Sequence, residues 1–346
     1  MSPKKRSTIY DLAEQAGISA STVSAILNGS WRKRRVSEKT AERVLTLARK
    51  LAYTVNRQAS GLRRSRSGLI GMIVPMHDNR FFSGMSQTFE QLARQRGLYP
   101  LVVSTLRDPS LELETARTLI SYQIESLVIA GATDPDPISH LCRSHGVAHI
   151  NVDLPGTLAP SVISDNRWGA QQLTGQLVLR SHPLPHLPAD HPRQQIYFIG
   201  GIASDHSTRE RIGGFCSTLQ KHLGACKSGQ INACGYQAEE AETAMTGLYN
   251  DLQGLPRALF VNSTIAFEGV VRFLSTRPAK QVMQCTIGCY DWDPFAACLH
   301  FPVLMVRQDT TALLNKAFEL LDAGKLDDPV LIQVRPQLLE PTSAGN

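Results

Sequence analysis

The 346-residue sequence has no apolar run of eighteen residues, no Cys-x-x-Cys pair and no secretory signal core. The missing apolar run excludes a membrane-spanning helix, so we expect no membrane partner. The N-terminus is basic, but TIYDLAEQA follows it instead of an apolar segment, which argues against secretion. The seven cysteines are odd in number, and we expect buried, reduced thiols in a cytoplasmic protein.

Common catalytic motifs are also missing, including GxGxxG, Walker A, GxSxG and HExxH. No nucleophile, base and acid form an evident set, so we expect no enzyme and no cofactor. Cys285 and Cys289 have no evident partners for zinc, and we assign no metal site. A segment with four prolines, 182–192, contains three histidines and favours a surface loop over a metal site.

Charge divides the chain sharply. Residues 1–67 contain fifteen Lys or Arg and four acidic residues, a net charge of +11, whereas residues 68–346 carry a net charge of −5. A basic segment joined to an acidic body is typical of a phosphate-binding module fused to a globular domain. A membrane-surface segment would need bulky apolar anchors, and few are present. The asymmetry therefore favours double-stranded DNA as a partner.

Two short helices are predicted within TIYDLAEQAGISASTVSAILNG, Thr8–Gly29. Apolar residues recur at helical spacing, Thr8 and Ser19 are suitable N-caps, and Gly17 suits the turn between them. The second helix keeps a slim outer face of Ala and Ser, which suits a major groove about 12 Å wide. An ordinary helical hairpin is the alternative. The basic run WRKRR, Trp31–Arg35, follows at once and favours phosphate contacts over a solvated charge run.

A third helix is predicted to open at Ser37 and to close a small core over the first two. The polar, basic segment 56–68 is then predicted to be a linker that orders on DNA. From Leu69, apolar strands alternate with helical stretches, among them 81–96, 208–223 and 238–252. Such alternation predicts doubly wound parallel sheets, and the number of strands predicts two lobes with a ligand cleft between them. We thus divide the chain into 1–55, 56–68 and 69–346.

These stretches resemble the lactose-repressor (LacI/GalR) family of bacterial transcriptional regulators over essentially the whole chain. The helical head, RVSEKTAERV, NRQASGLRR and IGMIVP carry the resemblance. It implies a small all-α helix-turn-helix head on an α/β body of two parallel-sheet lobes, like a periplasmic sugar-binding protein. It also implies a homodimer that acts as a repressor on a near-palindromic operator, with a small molecule in the cleft controlling DNA affinity.

The resemblance places base-reading contacts at Ala20, Ser21 and Ala25, and a minor-groove wedge at Leu62. Position 25 is often Arg in the family, so the bidentate contact to guanine is missing here. Leu62 packing on the body is the alternative to the wedge. The whole DNA-binding surface is expected at Thr8, Ser19, Ala20, Ser21, Thr22, Ser24, Ala25, Asn28, Arg32, Lys33, Arg34, Asn56, Arg57, Ala59 and Leu62.

For the cleft, Arg211 in RERIGGF and Asp291 in GCYDW match the family's effector-binding arginine and acid. A guanidinium and a carboxylate suit a hydroxyl-rich ligand. For a phosphate, Arg209 and Arg80 are candidate second cations. The full set of expected effector-binding residues is Phe81, Phe82, Asn166, Arg211, Tyr236, Asn262 and Asp291, of which the aromatic ones could equally be core.

The expected effector is thus a sugar or sugar phosphate, with a purine as the alternative ligand. A carbohydrate-binding receptor or transport component is the alternative function, and the +11 head argues against it. The resemblance leaves open the sign of the effector's action, the operator sequence and oligomers beyond the dimer.

Overall fold

A computed structural model describes residues 7–53, 67–326 and 328–340 of the protein. The chain forms two compact units, Met1–Ser67 and Gly68–Asn346. No helix in these described ranges is long and apolar enough to cross a membrane.

The first unit contains three helices, α1 (Ile9–Ala16), α2 (Ala20–Leu27) and α3 (Glu38–Lys50), with a 3-10 turn at Ser30–Arg34. Thr8 and Asp11 form a capping box at the start of α1, and Gly17 ends it with a φ of 63°. Ser19 and Ser37 each accept a hydrogen bond from a backbone N–H in the first turn of the helix that follows. The predicted caps are therefore confirmed, and the three helices enclose one apolar core.

The second unit is built from two six-stranded sheets, one in each lobe. The first lobe has the order β11-β5-β4-β3-β1-β2. Its strands are β1 (Leu69–Val74), β2 (Tyr99–Ser104), β3 (Ser126–Ala130), β4 (Ala148–Val152), β5 (Ser161–Ser164) and β11 (Leu331–Val334). All of their pairings are parallel. Alternate residues of β1 enter apolar clusters on opposite faces of the sheet, so helices cover both faces.

The second lobe repeats this arrangement in the order β12-β10-β9-β8-β6-β7. Its strands are β6 (Ile196–Ile199), β7 (Ile231–Asn232), β8 (Ala258–Val261), β9 (Thr286–Tyr290), β10 (Val303–Arg307) and β12 (Gln337–Leu339). Only the β10–β12 pairing among these is antiparallel. The predicted doubly wound, two-lobed body is confirmed.

The helices of the body lie between these strands, as α/β alternation requires. They are α4 (Arg80–Gln95), α5 (Pro109–Ser121), α6 (Pro135–Ser144), α7 (Asn166–Arg180), α8 (His206–Leu223), α9 (Ala238–Leu252), α10 (Thr264–Ser275), α11 (Ala279–Val282) and α12 (Thr310–Ala323). Further 3-10 turns span Pro192–Gln194, Ser228–Gln230 and Pro294–Cys298.

The chain passes between the lobes three times: between β5 and α7, between β10 and α12, and between β11 and β12. Three of these strands, β5, β11 and β12, were not predicted from the sequence. These strands are short and β11 and β12 are partly exposed, so they lack the long apolar run that marks a buried strand.

The cysteine prediction is partly wrong. Cys142, Cys285 and Cys289 are buried thiols as expected, but Cys216 and Cys226 form a disulfide and Cys298 is exposed. The pairing joins α8 to the loop that follows it, a contact that sequence spacing does not reveal. His182 and His186 are exposed, in agreement with a surface loop. Among the described residues no group of His, Cys, Asp or Glu is arranged to hold a metal.

Candidate functional site: a DNA-reading head and an effector cleft

The N-terminal end of α2 presents a run of hydroxyl groups. The Ser19 hydroxyl lies 2.9 Å from that of Ser21 and 2.8 Å from that of Thr22, and it also accepts the Thr22 N–H. Ser19 and Ser21 are exposed, whereas Ala20, Thr22 and Ser24 are half-buried. Short hydroxyl side chains at the start of a helix can donate to or accept from base edges and phosphates.

The basic turn after α2 is anchored on one side and exposed on the other. Asn28 accepts bonds from the backbone N–H and the hydroxyl of Ser30, at 3.1 and 2.5 Å, while Trp31 packs against the helical core. Arg32, Lys33 and Arg34 extend from this turn into solvent. A fixed backbone that carries exposed cationic side chains is suited to phosphate contacts.

One expected base-reading residue, Ala25, is buried instead of exposed. Ala25 is 2% exposed, because it lies on the side of α2 that faces the turn, where the Ser30 hydroxyl donates to its carbonyl at 3.4 Å. The described arrangement therefore does not offer its methyl group to a base. Thr8 and Asn28 are exposed, as DNA contacts require. Four further expected residues, Asn56, Arg57, Ala59 and Leu62, lie outside the described residues.

A cavity opens between the lobes at the carboxyl ends of their strands, where open α/β sheets bind ligands. Five of the expected residues line it, namely Phe81, Phe82, Arg211, Tyr236 and Asp291. The other lining residues, none of which is in the expected set, are Met76, Asn79, Arg107, Asp153, Leu154, Asp205, Ser207, Ser263, Ile265 and Gln308.

Arg211 is the best-anchored charge in the cavity. It projects from α8, is 4% exposed, and its guanidinium carbon lies 3.8 Å from the ring centre of Tyr290. Its Nε donates to Oδ1 of Asn166 at 2.8 Å, and its Nη1 donates to the carbonyl of Asn262 at 2.6 Å. The two asparagines thus lie beneath Arg211 and orient it, instead of forming the cavity wall.

Two buried carboxylates flank this arginine. Asp153 follows β4 and Asp291 follows β9, so the lobes contribute one each. Burial raises the pKa of Asp153 to about 6, although Arg211 and Arg107 lower it. Burial likewise raises the pKa of Asp291, against the effects of Arg211 and of the bond from Gln308. Burial tends to lower the pKa of Arg211, but the neighbouring acidic groups, Asp291 first among them, outweigh burial and the pKa is raised.

Tyr236 and Phe82 provide aromatic surface on opposite lobes. The Tyr236 hydroxyl lies 2.9 Å from that of Thr208, which fixes the ring, and burial raises its pKa. Phe82 packs edge-on against Phe81, with ring centres 5.0 Å apart. The guanidinium of Arg107 lies near both Tyr236 and Phe82.

The cations suggested for a phosphate are not in the cavity. Arg209 is exposed, and Arg80 pairs with Asp293 across the lobes at 3.1 Å. Arg107 is the second cation instead. Asp153 could have been found from the sequence, because VAHINVD ends in an acid directly after a strand, as does the segment containing Asp291.

Comparisons with known proteins agree with this architecture. Residues 8–56 match the model of bacterial regulatory proteins of the lacI family. Residues 67–286 match the model of periplasmic binding proteins and the sugar binding domain of the LacI family.

Individual relatives point the same way. The ribitol operon repressor of Klebsiella aerogenes is 52% identical over 177 residues, which cover 51% of this chain and 66% of that protein. The maltose regulon regulatory protein MalI of Escherichia coli is 30% identical over 269 residues, covering 77% and 75%. The lac repressor dimer bound to operator and an anti-inducer shares the fold, with a TM-score of 0.78 and 21% identity over 99% and 100% of the two chains.

A helix-turn-helix head, a two-lobed body and both family matches meet in one chain. The protein therefore belongs to the LacI family of DNA-binding transcriptional regulators.

Proposed function

We propose that this regulator represses transcription from a near-palindromic operator as a homodimer, and that its effector is a neutral polyhydroxyl compound, a sugar or sugar alcohol. The similar ribitol operon protein is a repressor, and the head has the exposed hydroxyls and cations that operator binding requires. The sequence led us to expect a sugar or a sugar phosphate, and the proposed neutral effector leaves out the phosphate.

The charge balance of the cavity is the observation that favours a neutral effector. Its charged lining residues are three carboxylates, Asp153, Asp205 and Asp291, and two guanidiniums, Arg107 and Arg211. A phosphate dianion needs an excess of positive charge, and this lining has none. Carboxylates accept hydrogen bonds from hydroxyl groups and guanidiniums donate to them, so a polyol satisfies both. The similarity to the ribitol operon repressor makes a pentitol the first compound to test.

Effector control follows from the two-lobed cavity. A ligand that contacts Asp153 on one lobe and Arg211 on the other binds most tightly at one lobe spacing. It shifts the population of lobe arrangements by its differential affinity for them. In the proposed dimer this changes the spacing of the two linker segments, 56–68, on the operator.

A thermal-shift comparison tests the effector. We expect stabilisation by ribitol or another pentitol, about 2.7 kcal/mol at 100 times its Kd, and little by pentitol phosphates. Larger shifts with the phosphates would contradict the neutral effector. We also infer that the protein is not an enzyme. Recovery of unchanged ligand after long incubation with the protein tests this.

Selection of bound fragments from a random DNA pool tests the operator. We expect enriched sites with two-fold symmetry, and a log–log salt slope of about −0.9 for each phosphate contacted. Replacing Arg32, Lys33 and Arg34 by Ala should make the slope shallower by up to roughly 0.9 for each phosphate that the variant no longer neutralises. Lys316→Ala, which removes a surface charge from the body, serves as the control. Asymmetric sites, or an unchanged slope in the triple variant, would contradict the assignment.

A further inference from the structure

Arg107 lies in the loop between β2 and α5, in an unusual backbone conformation. Leu106 and Arg107 have φ values of 54° and 58°, a left-handed region that residues other than glycine seldom adopt. The loop is nevertheless held in place. The Leu106 N–H donates to the carbonyl of Pro75 at 2.7 Å, and the Thr133 hydroxyl donates to the carbonyl of Arg107 at 3.4 Å. Surrounding structure thus aims one arginine into the cavity.

The side chain of Arg107 bridges the two lobes. Its guanidinium carbon lies 4.5 Å from the ring centre of Tyr236 on the second lobe and 5.9 Å from that of Phe82 on the first. Within the described structure its buried Nε has no hydrogen-bond acceptor. A planar guanidinium over an aromatic face gains cation–π energy and retains in-plane N–H donors for a ligand.

This placement affects which aromatic surface a ligand in the cavity can contact. Sugar rings pack their apolar C–H faces on aromatic rings, and here the cation covers a face of Tyr236. An open-chain polyol has no ring face to stack, and its hydroxyls can accept from the guanidinium. We propose that Arg107 is a specificity-determining residue that favours open-chain polyols over ring sugars. This inference rests on the proposed neutral effector.

Isothermal titration of the full-length protein tests the selection. The probes are a pentitol, such as ribitol, and the methyl pentopyranoside of matching configuration, whose ring cannot open. For the wild type we expect the pyranoside to bind more weakly than the pentitol. In Arg107→Ala and Arg107→Met we expect the Kd of the pyranoside divided by the Kd of the pentitol to fall by about tenfold, a change worth about 1.4 kcal/mol. Exposed Arg117 on α5 gives the matched control, Arg117→Ala, with an unchanged ratio.

The outcomes separate this inference from the proposed function. If the wild type binds the pentitol but both Arg107 variants leave the ratio unchanged, or weaken the two ligands equally, Arg107 does not select and the proposed effector class stands. A wild type that prefers the pyranoside also overturns the selection. If the wild type binds no neutral compound, the proposed effector class fails and the selection fails with it. Thermal unfolding of each variant verifies that it is folded.

Discussion

The two lobes have the same strand order and place an aspartate at equivalent points. Asp153 follows β4 and Asp291 follows β9, each the third strand of its sheet counted from the edge strand β11 or β12. Both have positive φ, 73° and 81°, and both are buried. Each residue has left-handed backbone directly after its strand, and both line the cavity. Asp tolerates this backbone better than most residues.

The surroundings of the two aspartates differ. Asp291 accepts a hydrogen bond from Gln308 at 2.5 Å and lies in the lobe that also holds Arg211 and its two asparagines. Asp153 is balanced by the charges of Arg211 and Arg107. The second lobe thus holds a preorganised charged framework, whereas Asp153 of the first lobe is balanced partly by Arg211 of the opposite lobe. We infer that ligand binding is anchored by the second lobe and adjusted by the first.

Arg211→Ala tests the anchor and should have the largest effect. Removing it leaves Asp153 and Asp291 without their main compensating charge, and breaking a buried charged set costs about 3–5 kcal/mol. We expect effector affinity to fall by at least about a hundredfold, roughly 2.8 kcal/mol, with lower thermal stability. Titration and thermal unfolding measure both, with Lys221→Ala on the same helix as control. Wild-type affinity in the variant would place the effector elsewhere.

Asp153→Asn tests the first lobe through the pH dependence of folding stability. Because burial raises the pKa of Asp153 to about 6, the folded state holds its proton more tightly than the unfolded state. Stability from this group is therefore present at low pH and lost as pH rises from about 4 through 6. The loss is on the order of 2–3 kcal/mol. We expect ligand-free Asp153→Asn to lack this decrease in unfolding scans at pH 4 and pH 7.

An equal decrease in the Asn variant would show that another group titrates there. Asp291→Asn serves as the matched variant of the second lobe. The pKa of Asp291 is also raised, so Asp291→Asn should likewise reduce the loss of stability that occurs as pH rises.

Asn166→Ala tests how the second lobe positions its arginine. The Asn166 side chain accepts from Nε of Arg211, and its loss leaves a buried donor unpaired, at a cost of about 1–3 kcal/mol. We expect severalfold to tenfold weaker effector binding. Asn166→Asp retains an acceptor oxygen and should recover most of the affinity. Equal losses in both variants would mean that the asparagine contributes through its amide N–H instead.

Arg80→Met tests the link between lobes and should have the smallest effect. Its ion pair with Asp293 is partly exposed, with side-chain exposures of 52% and 29%, and such pairs contribute about 0–1 kcal/mol. We expect the unfolding free energy to change within that range and the effector Kd by less than about fivefold. A larger change in Kd, verified with Asp293→Asn, would mean that this pair controls lobe closure.

The sequence predicted best where local chemistry decides the outcome. The caps Thr8 and Ser19 form as expected, and Ser37 caps the helix that it was predicted to open, because each hydroxyl accepts from a backbone N–H within its own first turn. It predicted less well where distant segments meet. Ala25 is covered by a turn whose packing depends on Trp31, and β11 pairs with β5 only after the chain has passed through five of the six strands of the second lobe.

The sequence by itself determined the basic head, the helix-turn-helix pattern, the two-lobed parallel body and five of the cavity residues. These follow from composition, from periodicity and from residues that resemble a family. Only the tertiary structure decided that Asp153 and Arg107 face Arg211 and Tyr236, and that Asn166 and Asn262 support the arginine from beneath. The reason is physical: charge balance in a cleft depends on side chains from segments up to about 180 residues apart, whose approach is set by the packing of two lobes.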